Sequence, residues 1–198
     1  MPLSQTQRIG TAAVASFLLA SCTSVPITSY PKLASLDLEV MPLEDLELAV
    51  RMQDDFGVIE DSAVISVSLV HDETGETLQR DFILDENPEP LAPVLESKFK
   101  SGYVIRRFKM SEETAQEATE YRALVVAERD AEPGDQHEGM FSARVGFCME
   151  PGGNPFLDPR MTLFLKTAPD QSFFTMIKET KMPIPRDQKE QAIPCASE

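Results

Sequence analysis

The chain has 198 residues, 42% of them hydrophobic, with 15 Pro, 9 Gly and no Trp, a size that fits one ordinary domain plus a short appendage. Its apolar content is too high for a disordered chain and too discontinuous for a multi-span membrane protein. With 18 Lys+Arg against 33 Asp+Glu, the net charge of −15 argues against nucleic acid as a partner, because neutralising phosphates takes a cationic surplus.

In chain order, the first feature is an address. Arg8 and the amino terminus form a weakly positive start, and Ile9 to Leu19 is apolar apart from Thr11 and Ser16. The small residues Ala20 and Ser21 come next, then Cys22. The apolar run is shorter than the roughly 20 residues a membrane span needs, so it reads as a secretory signal. Leu19-Ala20-Ser21-Cys22 resembles the lipobox of bacterial lipoproteins. That resemblance implies a signal peptide over 1–21 and a diacylglycerol thioether on Cys22. Thr23 follows the cysteine where an Asp would imply retention, so the resemblance also implies transfer to the outer membrane, facing the periplasm. An ordinary secretory signal cleaved elsewhere is the competing expectation.

Cysteine arithmetic follows from that resemblance. The chain has three cysteines, and with Cys22 lipidated the remaining pair, Cys148 and Cys195, can form a disulfide in an oxidising compartment. The bridge would contribute about 4 kcal/mol and pin the Pro-rich C-terminal tail to the strand carrying Cys148. A metal site at these cysteines has no CxxC and no adjacent His to support it, so no metal or cofactor is expected. Loss of residues 1–21 removes Arg8 alone among charges and leaves a mature net charge of −16. A domain so acidic is repelled by anionic head groups and should stand off the membrane on its tether.

Residues 22–34 carry the lipid and the tether: two prolines, small polar side chains and one charge. From residue 35 to 198 the pattern predicts a single domain. Leu36, Leu38 and Val40 alternate with acids, and Leu46, Leu48 and Val50 do so around Glu47 and Ala49, the mark of half-buried strands. Ala63–Val70 and Leu78–Leu84 flank the turn Asp72-Glu73-Thr74-Gly75 and read as a hairpin. Pro88, Pro90 and Pro93 end it, and Tyr103–Met110 is a further strand.

Ser111-Glu112-Glu113 opens the one good helix, with a hydroxyl cap, acids in the first turn and Met110 placed to staple against Ala115. Ala115, Ala118, Tyr121, Leu124 and Val125 recur at helical spacing and are assigned to the core; Glu112, Glu113, Gln116, Glu117 and Glu120 form the wet face. Glu132-Pro133-Gly134 closes the segment. Phe141–Met149 alternates strictly and turns Cys148 away from the Phe141 face, and Met161–Lys166 and Phe173–Ile177 supply two closing strands. Seven to nine strands predict a mainly β fold: a two-layer antiparallel β-sandwich, Ig-like or transthyretin-like, with one inserted helix near 111–131. An α+β sheet with the helix packed on one face is the alternative.

Candidate chemistry is sparse. His71 at the hairpin turn and His137 in the loop Gly134–Gly139 have no nucleophile signature nearby, and each reads as a solvated loop histidine. The acids Asp54-Asp55, Glu60-Asp61, Asp72-Glu73 with Glu76, and Asp85-Glu86 could ligate Ca²⁺ but match no EF-hand loop, and solvated turns account for them more simply. Gly152-Gly153-Asn154-Pro155 does not open a helix and so is no phosphate cradle. With Pro151, Phe156 and Pro159 it is either a rigid contact loop or a strand connection packed by its own Phe156. The expected function is a non-catalytic, lipid-anchored cell-envelope lipoprotein that scaffolds or binds another envelope protein. The alternative is a periplasmic enzyme or a small-ligand or Ca²⁺-binding domain using surface carboxylates.

Overall fold

The alternation around Leu48 becomes β1 (Glu47–Gln53), which runs through a turn at Asp54-Asp55 into the short β2 (Phe56–Val58). The computed structural model describes residues 41–71, 75, 77–131, 137–154, 158–182 and 193–195. The expected hairpin is β3 (Val64–His71) and β4 (Thr77–Ile83), paired without a break from Val64↔Ile83 to Val70↔Thr77. After the two-residue β5 (Asp85–Glu86), a single helical turn α1 (Pro93–Glu96) leads to β6 (Tyr103–Lys109). The helix α2 spans Glu112–Ala131, followed by β7 (His137–Arg144), β8 (Phe147–Met149), β9 (Arg160–Lys166) and β10 (Phe174–Lys181).

The strands form antiparallel sheets packed in a sandwich-like arrangement, open at their edges. One layer is five-stranded in the order β10-β9-β1-β6-β5. The other is the three-stranded β4-β3-β7, continued by the pair β2-β8. The continuation is visible in the backbone: Ile59 N–H donates to Gly146 O, so the β2–β8 pairing resumes the β3–β7 ladder past a bulge at Glu60–Ala63, opposite Val145. The expected single strand Phe141–Met149 is therefore two strands. Gly146 sits where an added Cβ would lie 2.8 Å from Ser62 Cβ, and the Ser62 hydroxyl donates to Ile59 O and accepts from Gly146 N–H, fixing the bulge.

Leu48, Val50 and Met52 of β1, Leu163 and Leu165 of β9, Ile65 and Val67 of β3, and Phe82 and Phe147 meet in one buried core. The helix supplies Ala118, Tyr121 and Val125 to it and packs on a 3-10 turn (Leu43–Asp45) and on β4. Ser111 Oγ caps the helix by accepting from Thr114 N–H at 3.1 Å, and Met110 is buried in the same core, as the capping pattern requires. Leu124, assigned to the core by its spacing, is instead 60% exposed. It lies one residue short of Val125, on the far margin of a narrow apolar stripe.

A second correction concerns β1. Leu48 and Val50 face the main core, yet Ala49 between them is equally buried. It belongs to a smaller cluster with Leu95, Phe164 and Phe173, to which Leu91, Ala92 and Val94 add. Residues 87–100 thus form a strap over the outer face of the five-stranded sheet, and β1 and β9 are buried on both sides. The expected strand around Leu36–Val40, the helix stop at Glu132-Pro133-Gly134 and the turn Asp72-Glu73-Thr74 lie outside the described residues.

Candidate functional site

The sequence placed its bets on cysteines, histidines and turn acids, and the fold disperses them. Cys148 and Cys195 are joined, with an S–S distance of 2.06 Å and Cα atoms 4.8 Å apart. Around the bridge, Met149 N–H donates to Ile193 O and Cys195 N–H donates to Met149 O, both at 2.9 Å, so the C-terminal residues run parallel to β8 as a short added strand. Gly57 on the opposite side of β8 makes room for this: a Cβ there would lie 2.8 Å from Cys195 Sγ and would also strike the Glu150 carboxylate. Cys22, the expected lipidation site, lies outside the described residues.

His71 and His137 occupy facing register positions at one end of the β3–β7 ladder. Asp54-Asp55 and Glu60-Asp61 sit on two separate connections, Asp85-Glu86 is the strand β5, and Asp72, Glu73 and Glu76 lie outside the described residues. Among the described residues, no group of three or more His, Cys, Asp or Glu is placed to hold a metal ion.

The Gly152-Gly153-Asn154 turn packs back on the Asp54-Asp55 turn: Asn154 N–H donates to Asp55 Oδ1 at 2.9 Å and Glu150 N–H to Asp55 O at 2.9 Å. Gly152 has φ +85°, and a Cβ on Gly153 would stand 2.7 Å from Asp55 O and 3.1 Å from Glu150 O. The two turns thus lock to each other through backbone. Gly153→Ala is expected to cost about 1–3 kcal/mol, because the colliding atoms are main chain and cannot swing aside. A urea titration unchanged from wild type would contradict that close approach. Pro155 and Phe156, the expected tip of a contact loop, lie outside the described residues.

The densest polar constellation is one the sequence analysis did not single out. Glu47 (β1), Arg107 (β6) and Lys166 (β9) stand on the outer face of the five-stranded sheet, beneath the strap. Lys166 Nζ and Arg107 Nη2 each donate to one Glu47 oxygen, at 2.6 and 2.5 Å. Arg107 Nη1 also donates to Pro90 O at 2.7 Å, and its guanidinium lies 5.9 Å from the Phe173 ring centre. Their side chains are 13% (Glu47), 7% (Arg107) and 19% (Lys166) exposed. Burial pushes the Glu47 carboxyl up, but the hydrogen bonds and charges of Lys166 and Arg107 together outweigh it and hold the group below its ordinary value. A carboxylate held in its charged form is a poor proton donor at neutral pH; here it binds three strands and the strap together.

A second cation fastens the strap's far end. Arg51 donates to Lys98 O at 2.7 Å and to Thr162 Oγ1 at 3.3 Å, with Glu179 at 3.7 Å. Tyr121, whose phenol is pushed up by burial, donates to Leu78 O at 2.8 Å and fixes α2 to β4. The signal for these contacts was thin. Glu47 and Lys166 both abut apolar runs, but only the strand order β9-β1-β6 makes them neighbours.

Comparison with protein-family models, curated proteins and solved structures returns no match for this chain. The fold defines the class: a mainly β, sandwich-like domain with one helix and a disulfide-fastened C-terminus.

Proposed function

We propose that this chain is a bacterial cell-envelope lipoprotein, anchored by lipid on Cys22 to the outer membrane and facing the periplasm, with a non-catalytic role in binding or scaffolding another envelope protein. One observation carries the reading: Cys148 and Cys195 are paired with each other, which leaves Cys22 as the one unpaired cysteine, at the position where a lipobox-like sequence would present it for acylation. A disulfide suits an exported protein, and an odd cysteine in such a protein calls for a use.

The charge pattern supports the same placement. A mature net charge of −16 keeps the domain off anionic head groups, so the tether of residues 22–34 would hold it in reach of partners rather than of lipid. The described acid pairs lie on two connections and the short strand β5, apart from one another in the fold, which favours binding over a convergent carboxylate site. The buried Glu47–Arg107–Lys166 cluster reads as a fastening for the strap, not as a proton relay.

The intact mass of the native protein, extracted from membranes without reductant, tests the proposal. The expected mass starts at Cys22, carries acyl chains and is lighter by two hydrogens for the bridge. A chain cleaved at another position and free of lipid would overturn the anchor, and a ligand screen of the soluble domain would then take precedence over partner capture.

A further inference from the structure

We infer that the outer edge of β7 (His137–Arg144) is the docking site for an extended segment of a partner protein, which adds to it as a strand; the inference rests on the protein-binding role proposed above and names its surface. Free strand edges are hazards that folded proteins blunt with bulges, short strands, charges or a covering element. Three edges here are blunted. The β10 edge has two register shifts, the second of which contains Glu179 in the left-handed region at φ +47°. Beyond β6, β5 is only two residues long. The β4 edge is charged in mid-strand: Arg80 pairs with Glu117 of α2 at 3.4 Å, and Asp81 with Arg144 at 2.6 Å.

β7 is more regular than the β10 edge and longer than the β5 edge, and unlike β4, whose register is equally unbroken, it has no charged residue between Glu138 and Arg144. It pairs with β3 over eight residues in unbroken register, from Val64↔Arg144 to His71↔His137, with no bulge inside it. Among the described residues β3 is its only strand neighbour. The core is also unfinished along this edge: Phe141 and Ala143 pack against the main core but remain partly exposed. On the opposite face Met140 is 49% exposed beside Ser142.

The occupant follows from what the same edge already does. Past the bulge, β8 takes Ile193–Cys195 as a parallel neighbour through two main-chain hydrogen bonds. A partner segment continuing that mode along β7 would gain a ladder of main-chain bonds, with specificity from alternate side chains. The chemistry it needs is an extended stretch about as long as β7. Apolar residues at every second position would cover Phe141 and Ala143, with small or polar residues between them beside Met140 and Ser142.

The test uses the full mature chain with its disulfide intact and a displayed library of random dodecapeptides. Selected peptides should alternate apolar and polar residues and slow hydrogen exchange at every second amide of β7 by about tenfold or more. N-methylation of alternate peptide amides should abolish binding. Ser142→Pro and Ala143→Pro remove neighbouring amides, of which one faces β3 and the other the free edge. The variant that keeps wild-type thermal stability should lose the peptide. Selected peptides that protect another surface, or survive N-methylation, would overturn the site, as would a library that yields no ligand. Concentration-dependent protection of β7 without peptide would also overturn it, by making a second copy of the chain the occupant. The lipid anchor is judged separately by mass, so failure of the site leaves that result standing.

Discussion

Replacing Cys148 and Cys195 together by Ala lowers the unfolding free energy by about 4 kcal/mol, the loop-entropy value for a cross-link spanning 47 residues. Much of that loss originates in the unfolded chain. With the bridge present, unfolded β8 cannot move away from the tail; without it, the ensemble regains those conformations and exposes more surface. Two signatures should therefore appear together in urea titrations: a lower midpoint and a steeper denaturant dependence. Reductant should shift the wild-type protein toward the variant and leave the variant unmoved. A single domain is commonly stable by about 5–15 kcal/mol, so the reduced chain should be marginal at growth temperatures. A change under about 1 kcal/mol would mean that the two main-chain bonds of Met149 hold the tail without covalent help, and that the unfolded state retains this contact.

What the sequence made legible was local. Alternation along Ile65, Val67 and Leu69, the pairing of two adjacent apolar runs, and the Ser111 cap before an acidic first turn each involve residues close in sequence, and each of these formed where its pattern lies. The cysteine pairing was legible for another reason: counting suffices when few cysteines are present. What remained hidden depends on contacts between distant segments. Ala49 looks like a solvent-side residue until the strap of residues 87–100 covers it, and the prolines that mark that strap as a loop do not say what it covers. Leu124 fits the helical period, but the period cannot say how wide the buried stripe is. The break between β7 and β8 depends on Ser62, eighty-four positions from Gly146, so strict alternation gave no hint of it.

The same limit concealed the Glu47–Arg107–Lys166 cluster, where the second large effect is expected. Glu47→Gln should cost about 3–5 kcal/mol, because it leaves two cations facing each other with only the exposed Glu89, 3.7 Å from Arg107, as counter-charge. Arg107 cannot escape: it is 7% exposed, and its Nη1 is held by Pro90 O. Lys166, at 19%, has more freedom to turn its ammonium toward water, which favours the lower end of the range. Replacing all three residues with apolar ones of similar volume (Glu47→Leu, Arg107→Met and Lys166→Met) should recover most of the loss, since no charge then stays buried. The pH dependence has a definite sign. The folded state holds the Glu47 carboxyl below its ordinary value of 4.5, so the unfolded chain takes up this proton first. Stability from the cluster is complete above that value and is lost as pH falls below it, through the lowered folded pKa. Urea midpoints measured across the acid range should therefore fall more steeply for wild type than for Glu47→Gln. Parallel acid limbs, or a Glu47→Gln chain within about 0.5 kcal/mol of wild type at neutral pH, would show that the strap is held by the apolar contacts of Leu95, Phe164 and Phe173 alone.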